Sequence, residues 1–281
     1  MVQALAICVW WVIEPSIDMR RANQGFTLIE LITVLVIVGI LAAMTTDIIT
    51  LPVKSYLDLE RRTTLVDNAE SALRLMQRDI RRALPNSIRI AGGGTTLELL
   101  HISEGGRYRA KLAADGSGDV LDFTTSDNLF DVMGSLENTP AGELVIYNLG
   151  SGTSDAYAGS NRATLDNTST TTQLILSTAK QFPLQSPEQR FFIVDTPLSY
   201  RCDLLAGTLL RYSGYSISAT QVDPPAGTNG QLQANNVSSC DFAYSSATAS
   251  HSGIVTLTIT LTDSAGESTR LIRQIHVDNA P

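Results

Sequence analysis

Glu30 is the residue whose surroundings demand a chemical explanation. It follows Phe26-Thr27-Leu28-Ile29 and precedes an uncharged run from Leu31 to Thr46. A carboxylate in hydrocarbon costs about 2.5 to 3.5 kcal/mol on insertion scales, so it needs a compensating charge or a functional reason to be there. Gly25 and Phe26 offer that charge. Scission between them would create an α-amine on Phe26, one helical turn from Glu30, and the same amine on a neighbouring copy would neutralise the acid as two helices pack. An acid used in this way specifies assembly and need not add net stability.

Few other residues have the spacing that catalysis requires. His101, His251 and His276 are scattered, without the HExxH spacing that puts two imidazoles on one helical face. Neither a GxSxG nucleophile elbow nor a GxxxxGK[ST] phosphate loop is present. No catalytic residue, cofactor or metal ligand is assigned, and an enzyme is not expected. Removing everything before Phe26 leaves Cys202 and Cys240 as an even pair, which in an oxidising compartment is expected to form a disulfide. A metal site is the alternative, but two cysteines so far apart, with no CxxC and no nearby histidine, do not make one. Asp115, Asp119 and Asp122, with Gly116 and Gly118 between the first two, could supply oxygen ligands to calcium. The preferred reading is an acidic turn before a strand at Val120, since their spacing is not that of an EF-hand, and no metal site is named.

The element that must position Glu30 is a membrane-length helix. Phe26 to Thr46 is 21 residues, about 31 Å at helical rise, enough to cross the hydrocarbon layer. A plain signal peptide would have no use for Glu30, and Leu41 occupies a place where a cleavage site near Ala43 would want a small residue. Arg20 and Arg21 precede the span, so the remainder of the chain is expected outside the inner membrane. Residues 1–18 contain a short apolar stretch without basic residues; translation from Met19 would give the leader MRRANQG, and a longer leader is the alternative.

Arg20 to Met44, RRANQGFTLIELITVLVIVGILAAM, resembles the leader and first helix of type IV prepilins and of the pseudopilins of type II secretion. The resemblance implies that a dedicated prepilin peptidase cuts between Gly25 and Phe26 and methylates the new amine. It also implies that Glu30 pairs with that group in assembly. Calcium occurs in some pseudopilin heads.

A second periodic segment follows. Leu65, Ala69, Ala72, Leu73, Met76, Ile80, Ala83 and Leu84 recur at three- and four-residue intervals among charged positions, an amphipathic helix. Asp58 with Arg62, and Glu70 with Arg74, are spaced as i, i+4 pairs. Pro52 is expected to kink or locally unwind the run, and Pro85-Asn86 to end it. Short strands are expected at Leu97–Ile102, Val120–Thr124, Glu143–Leu149, Gln173–Ser177, Arg190–Asp195, Thr208–Tyr212 and Ser239–Tyr244. Val255 to Thr262 alternates strictly, and Asp263-Ser264-Ala265-Gly266 leads to a last strand at Leu271–Val277, an antiparallel hairpin. Arg273 falls on its apolar face, which means either an edge position or a register one residue off. Gly92-Gly93-Gly94 reads as a flexible turn between stem and sheet. The polar tracts 151–172 and 223–236 read as exposed loops.

The expected class is α+β: a long N-terminal helix, transmembrane in its first half and amphipathic in its second, packed on a mainly antiparallel β-sheet head, pilin-like. The divisions are 1–25 leader, 26–51 transmembrane half, 52–85 amphipathic half and 86–281 periplasmic head. The net charge of -8 lies in the head, since residues 85–281 carry 11 basic and 19 acidic groups; nucleic acid is not an expected partner for such a surface.

Five further stretches, RRALPNSIRI (Arg81–Ile90), LSYRCD (Leu198–Asp203), LLRYSGY (Leu209–Tyr215), VSSCDFAY (Val237–Tyr244) and HVDNAP (His276–Pro281), are similar to the O-type minor pilins of mannose-sensitive haemagglutinin (MSHA) pilus systems. That similarity implies a low-abundance pilus-assembly subunit. Its implied partners are other major and minor pilins, the prepilin peptidase/methyltransferase, the inner-membrane assembly platform and the inner membrane. The implied location is the inner membrane, single-pass, with the head in the periplasm or at a pilus tip. A J-type pseudopilin of type II secretion has the same anchor and remains the nearer alternative; a single-pass periplasmic enzyme or receptor is the farther one.

Overall fold

The computed structural model describes residues 25–225, 227–246 and 253–277. The chain divides into two compact units at Tyr56 and Leu57. One helix, α1 (Leu28–Arg81), begins in the first unit and ends in the second. In the first unit its residues from Leu31 to Thr45 carry no charge on any side, as a helix needs in lipid. Pro52 cannot donate to the carbonyl one turn earlier, yet the backbone stays helical through it; local unwinding does not occur.

In the second unit α1 becomes one-sided. Leu65, Ala69, Ala72, Leu73, Met76 and Ile80 are buried, while the charged positions other than Asp79 lie on the more exposed sides. Asp58 pairs with Arg61 at 3.4 Å rather than with Arg62. Glu70 and Arg74 pair at 2.9 Å. The helix ends at Arg81, and Leu84 turns into the sheet, its amide donating to Leu100.

Twelve strands follow among the described residues: β1 (Arg89–Ala91), β2 (Thr96–Arg107), β3 (Asp127–Asp131), β4 (Glu143–Ile146), β5 (Arg162–Thr164), β6 (Gln173–Lys180), β7 (Arg190–Asp203), β8 (Thr208–Ser213), β9 (Gln231–Ala234), β10 (Val237–Ser245), β11 (Gly253–Thr262) and β12 (Ser268–Val277). All pairings are antiparallel. The largest sheet runs β1-β2-β7-β4-β5, with β8 and β9 branching from β7. β7 makes the branch possible: residues 191–194 pair with β4, residues 198–203 with β8, and Pro197, which has no N–H to offer, falls between them. The other sheets are β10-β11-β12 and β3-β6. Thus the second half of α1 packs over an antiparallel body, an α+β fold.

Three expectations need correction. Val120–Thr124 is not a strand; Asp122 turns the chain there by accepting from the Thr124 amide and the Thr124 and Thr125 hydroxyls, and the strand begins at Asp127. The tract 151–172 is not an exposed loop: it contains β5 and buries Ser154, Ala156, Tyr157 and Asn161. The tract 223–236 contains β9, with Ala234 buried. Gly92-Gly93-Gly94, all at positive φ, forms the turn between β1 and β2.

The main core lies between α1, the β2-β7-β8 face and the β10-β11-β12 sheet. A second core, built on Phe130, Phe182 and Phe191, fills the part of the head formed by β3, β4 and β6.

Candidate assembly site

Thr27 opens α1. The Glu30 and Leu31 amides donate to its carbonyl at 3.1 and 3.2 Å, and the Glu30 amide also lies 3.4 Å from its hydroxyl. Such a cap satisfies donors that the first turn leaves unpaired. Glu30 therefore sits in the first turn, where a negative charge also complements the helix dipole. Gly25 and Phe26 precede the helix and are exposed, Phe26 at 75%. A Cβ placed on Gly25 would meet nothing within 4 Å. Gly25 and Phe26 thus lie outside regular structure.

Leu28 to Thr45 has a mean hydropathy of 2.6 and none of it is buried. Those 18 residues rise about 27 Å as a helix, close to the hydrocarbon thickness of a bilayer. The helix is compatible by length and composition with a single-pass anchor. Its hydroxyls are internally satisfied: Thr33 donates to the Ile29 carbonyl at 2.8 Å and Thr45 to Leu41 at 2.6 Å, as an apolar surrounding requires. Among the described residues, no cation lies within ion-pair distance of Glu30.

The head fastens the second half of α1 at three places. Arg273 on β12 gives Glu70 two hydrogen bonds, at 2.7 and 2.8 Å, and reaches Gln77 at 3.0 Å. The bonds from Arg273, and then Arg74, hold the Glu70 carboxyl below the usual glutamate range. β12 is an edge strand, so the first of the two readings of Arg273 is the correct one, and its inward-facing guanidinium finds an acid on the helix. Asp79, 3% exposed, accepts from the Tyr200 hydroxyl at 2.8 Å and from Arg211 at 3.0 Å. Burial, reinforced by the Asp79 charge, pushes the Tyr200 phenol far up, so it remains a donor. Asn148 donates to the Pro85 carbonyl at 2.7 Å and accepts from the Ala156 amide, tying the end of the stem to the polar tract.

Cys202 on β7 and Cys240 on β10 form a disulfide, with Cα atoms 6.6 Å apart. It joins the large sheet to the three-stranded sheet inside the main core. Asp115 and Asp122 are turned to their own loops: Asp115 accepts from the amide and hydroxyl of Ser117, and the Thr124 and Thr125 bonds hold Asp122 down at about 2. Asp119 behaves differently; desolvation, then Asp127 and Asp131, raise it. The three acids do not converge, and among the described residues no group of three His, Cys, Asp or Glu side chains is arranged to hold a metal ion. His101 lies 3.3 Å from Asp195, His276 is on the exposed face of β12, and His251 is outside the described residues.

Sequence reasoning passed over Asp79, Arg211 and Asn148. A signal existed for Asp79 alone, a charge interrupting the apolar face between Met76 and Ile80.

Residues 20–46 match the prokaryotic N-terminal methylation motif. The match contains Gly25, Phe26, Glu30 and the apolar run, and it supports a type IV pilin-like or pseudopilin role. This prepilin-like motif implies processing by prepilin peptidase and assembly with other pilins, and it indicates a structural protein rather than a known enzyme family. No curated protein and no solved structure matches the chain.

Proposed function

We infer that this chain is a minor pilin-like subunit that helps to build a type IV pilus of the MSHA type. It is made as a precursor, cut after Gly25 and methylated on Phe26. Residues 26–51 anchor it in the inner membrane, 52–85 form the stem, and 86–281 form a periplasmic head that meets other major and minor pilins, on the assembly platform or at the tip. The observation that carries this reading is the methylation motif over residues 20–46, with Glu30 in the first turn of a membrane-length helix.

Glu30 tolerates lipid once a neighbour's Phe26 amine reaches it, and this charge match supplies register as Leu31, Val34, Leu35, Val38 and Leu41 pack in the growing bundle. The stretches at 81–90, 198–203, 209–215, 237–244 and 276–281 favour the O-type minor pilin over a J-type pseudopilin.

The test is Glu30→Gln, which keeps shape and removes charge. The variant is expected to insert, to be cut after Gly25, and to be lost from sheared filaments. Incorporation at the wild-type level would overturn the proposed role of Glu30.

A further inference from the structure

The three-stranded sheet ends in an open edge. β12 pairs with β11 alone, from Gly253 opposite Val277 to Thr262 opposite Ser268, without a bulge. At the other side of the sheet the edge of β10 is occupied: the Phe242 amide donates to the Gly94 carbonyl at 2.7 Å and the Val237 amide to the Gly207 carbonyl at 2.9 Å. The Phe242 bond also fixes the direction of the backbone groups. Since Phe242 turns away from β11, its partner Leu257 turns toward β12, where it stands opposite Arg273. Backbone direction alternates along a strand, so the odd-numbered residues of β12 are spent on β11, and Ser268, Arg270, Ile272, Gln274 and His276 turn their N–H and C=O groups outward. Among the described residues these groups have no other backbone partner.

The core is unfinished along this edge. Val255, Leu257, Ile259 and Leu261 on β11 are fully buried, but Thr269, Leu271 and Arg273 beside them on β12 stay partly exposed. The Thr269 hydroxyl is enclosed and has no hydrogen-bond partner among the described residues, a state that folded chains rarely leave uncompensated. On the solvent face Ile272 is 60% exposed, with Arg270, Gln274 and His276 also exposed on that face. Open edges are commonly blunted by proline, lysine, a bulge or an inward-pointing charge. β12 has only the last of these, Arg273, and Glu70 on the same chain already neutralises it.

We propose that this edge receives an acidic strand from a different polypeptide, laid antiparallel to β12 as the fourth strand of the sheet, with a carboxylate opposite Arg270 and an aliphatic side chain opposite Ile272. Charge selects the occupant. Residues 268–277 hold Arg270 and Arg273 and no acid, and Arg270 has no ion-pair partner among the described residues. A second β12 laid against the first would bring arginines and no carboxylate, so the chain's own edge is the wrong partner. An acidic strand matches Arg270, continues the backbone ladder and closes over Thr269 and Leu271. The surface lies wholly in the head, so processing at Phe26 has no part in it.

The test uses the detergent-solubilised full chain and two fluorescein-labelled peptides, Thr-Thr-Val-Val-Glu-Val-Thr and the same peptide with Lys in place of Glu, each written to run opposite residues 274 to 268. Fluorescence anisotropy is expected to show saturable binding of the acidic peptide, with the lysine peptide about 2- to 5-fold weaker, the effect of one exposed ion pair. Arg270→Glu should invert that order. Ile272→Pro removes an outward N–H and no bond to β11, a place where an edge strand tolerates proline; it should weaken the acidic peptide by about 2- to 12-fold, the effect of one hydrogen bond. Arg270→Glu, a surface change, carries the test on its own if the proline variant does not fold. Absence of saturable binding, or an order of the two peptides that ignores residue 270, overturns the proposal.

A cross-link in membranes identifies the occupant. A photo-reactive phenylalanine analogue placed at position 272 of the full-length chain is expected to join an extended, carboxylate-bearing segment of a different polypeptide, mapped by mass spectrometry of the linked fragments, and Arg270→Glu in the same chain should reduce the yield. A link to residues 268–277 of another copy, or no link at all, overturns the proposal.

Discussion

Replacing Asp79 by alanine tests whether the stem is bolted to the sheet by a buried charge. The carboxylate is the partner of a fully buried phenol and of a guanidinium only 20% exposed. Removing one member of a buried pair costs about 3 to 5 kcal/mol, because the other charge stays behind unpaired. Some water reaches Arg211, so the lower end applies, about 3 kcal/mol. For a unit of this size each kcal/mol moves the melting temperature by about 2–4 °C, giving a fall of about 6–12 °C. The assay is thermal unfolding of the detergent-solubilised full chain followed by near-ultraviolet circular dichroism. Asp79→Asn, which retains an acceptor for Tyr200 but leaves Arg211 unpaired, should fall between wild type and Asp79→Ala. A loss under about 1 kcal/mol for Asp79→Ala would refute the reasoning, since an exposed carboxylate behaves in that way.

Opening the Cys202–Cys240 bridge with the double serine variant frees a 38-residue separation; by loop-closure entropy this costs about 4 kcal/mol, measurable as a lowered denaturant midpoint. Gly142→Ala should destabilise the head by at least about 1–2 kcal/mol in the same titration, because Gly142 has φ +118 and its new Cβ would lie 2.4 Å from the Val194 carbonyl oxygen. The Glu70–Arg273 contact gives a pH dependence: the folded glutamate is held below its ordinary value, so its contribution is complete above about pH 4.3 and is lost as pH falls through the lower folded value. Arg273→Gln should flatten stability against pH in that acid window; an unchanged profile would show that the pair does not act in this way.

Legibility in the sequence followed locality. Glu30 and its apolar run, the 3.6-residue period of Leu65 to Ile80, and the strict alternation of Val255 to Thr262 each declare themselves within one segment. β7 was half visible because Pro197 interrupts its pattern, and a branched sheet is what makes a proline acceptable there. β3, β5 and β9 carry polar sequences, DNLFD, RAT and QLQA, and become strands through distant partners: β6, β4 and β8. The buried Asn148, Ser154 and Asn161 look like loop residues until one sees that they hydrogen-bond the backbone of the 146–161 region and of Pro85. The acids at 115, 119 and 122 illustrate the converse, since proximity in sequence did not bring their carboxylates together.

Intact mass of the chain extracted from membranes or sheared filaments tests the central claim most directly. The account predicts a polypeptide that begins at Phe26, carries one added methyl group, and lacks the two hydrogens removed by the Cys202–Cys240 bridge. A chain that retains Arg20 to Gly25, or that begins beyond Glu30, would contradict it.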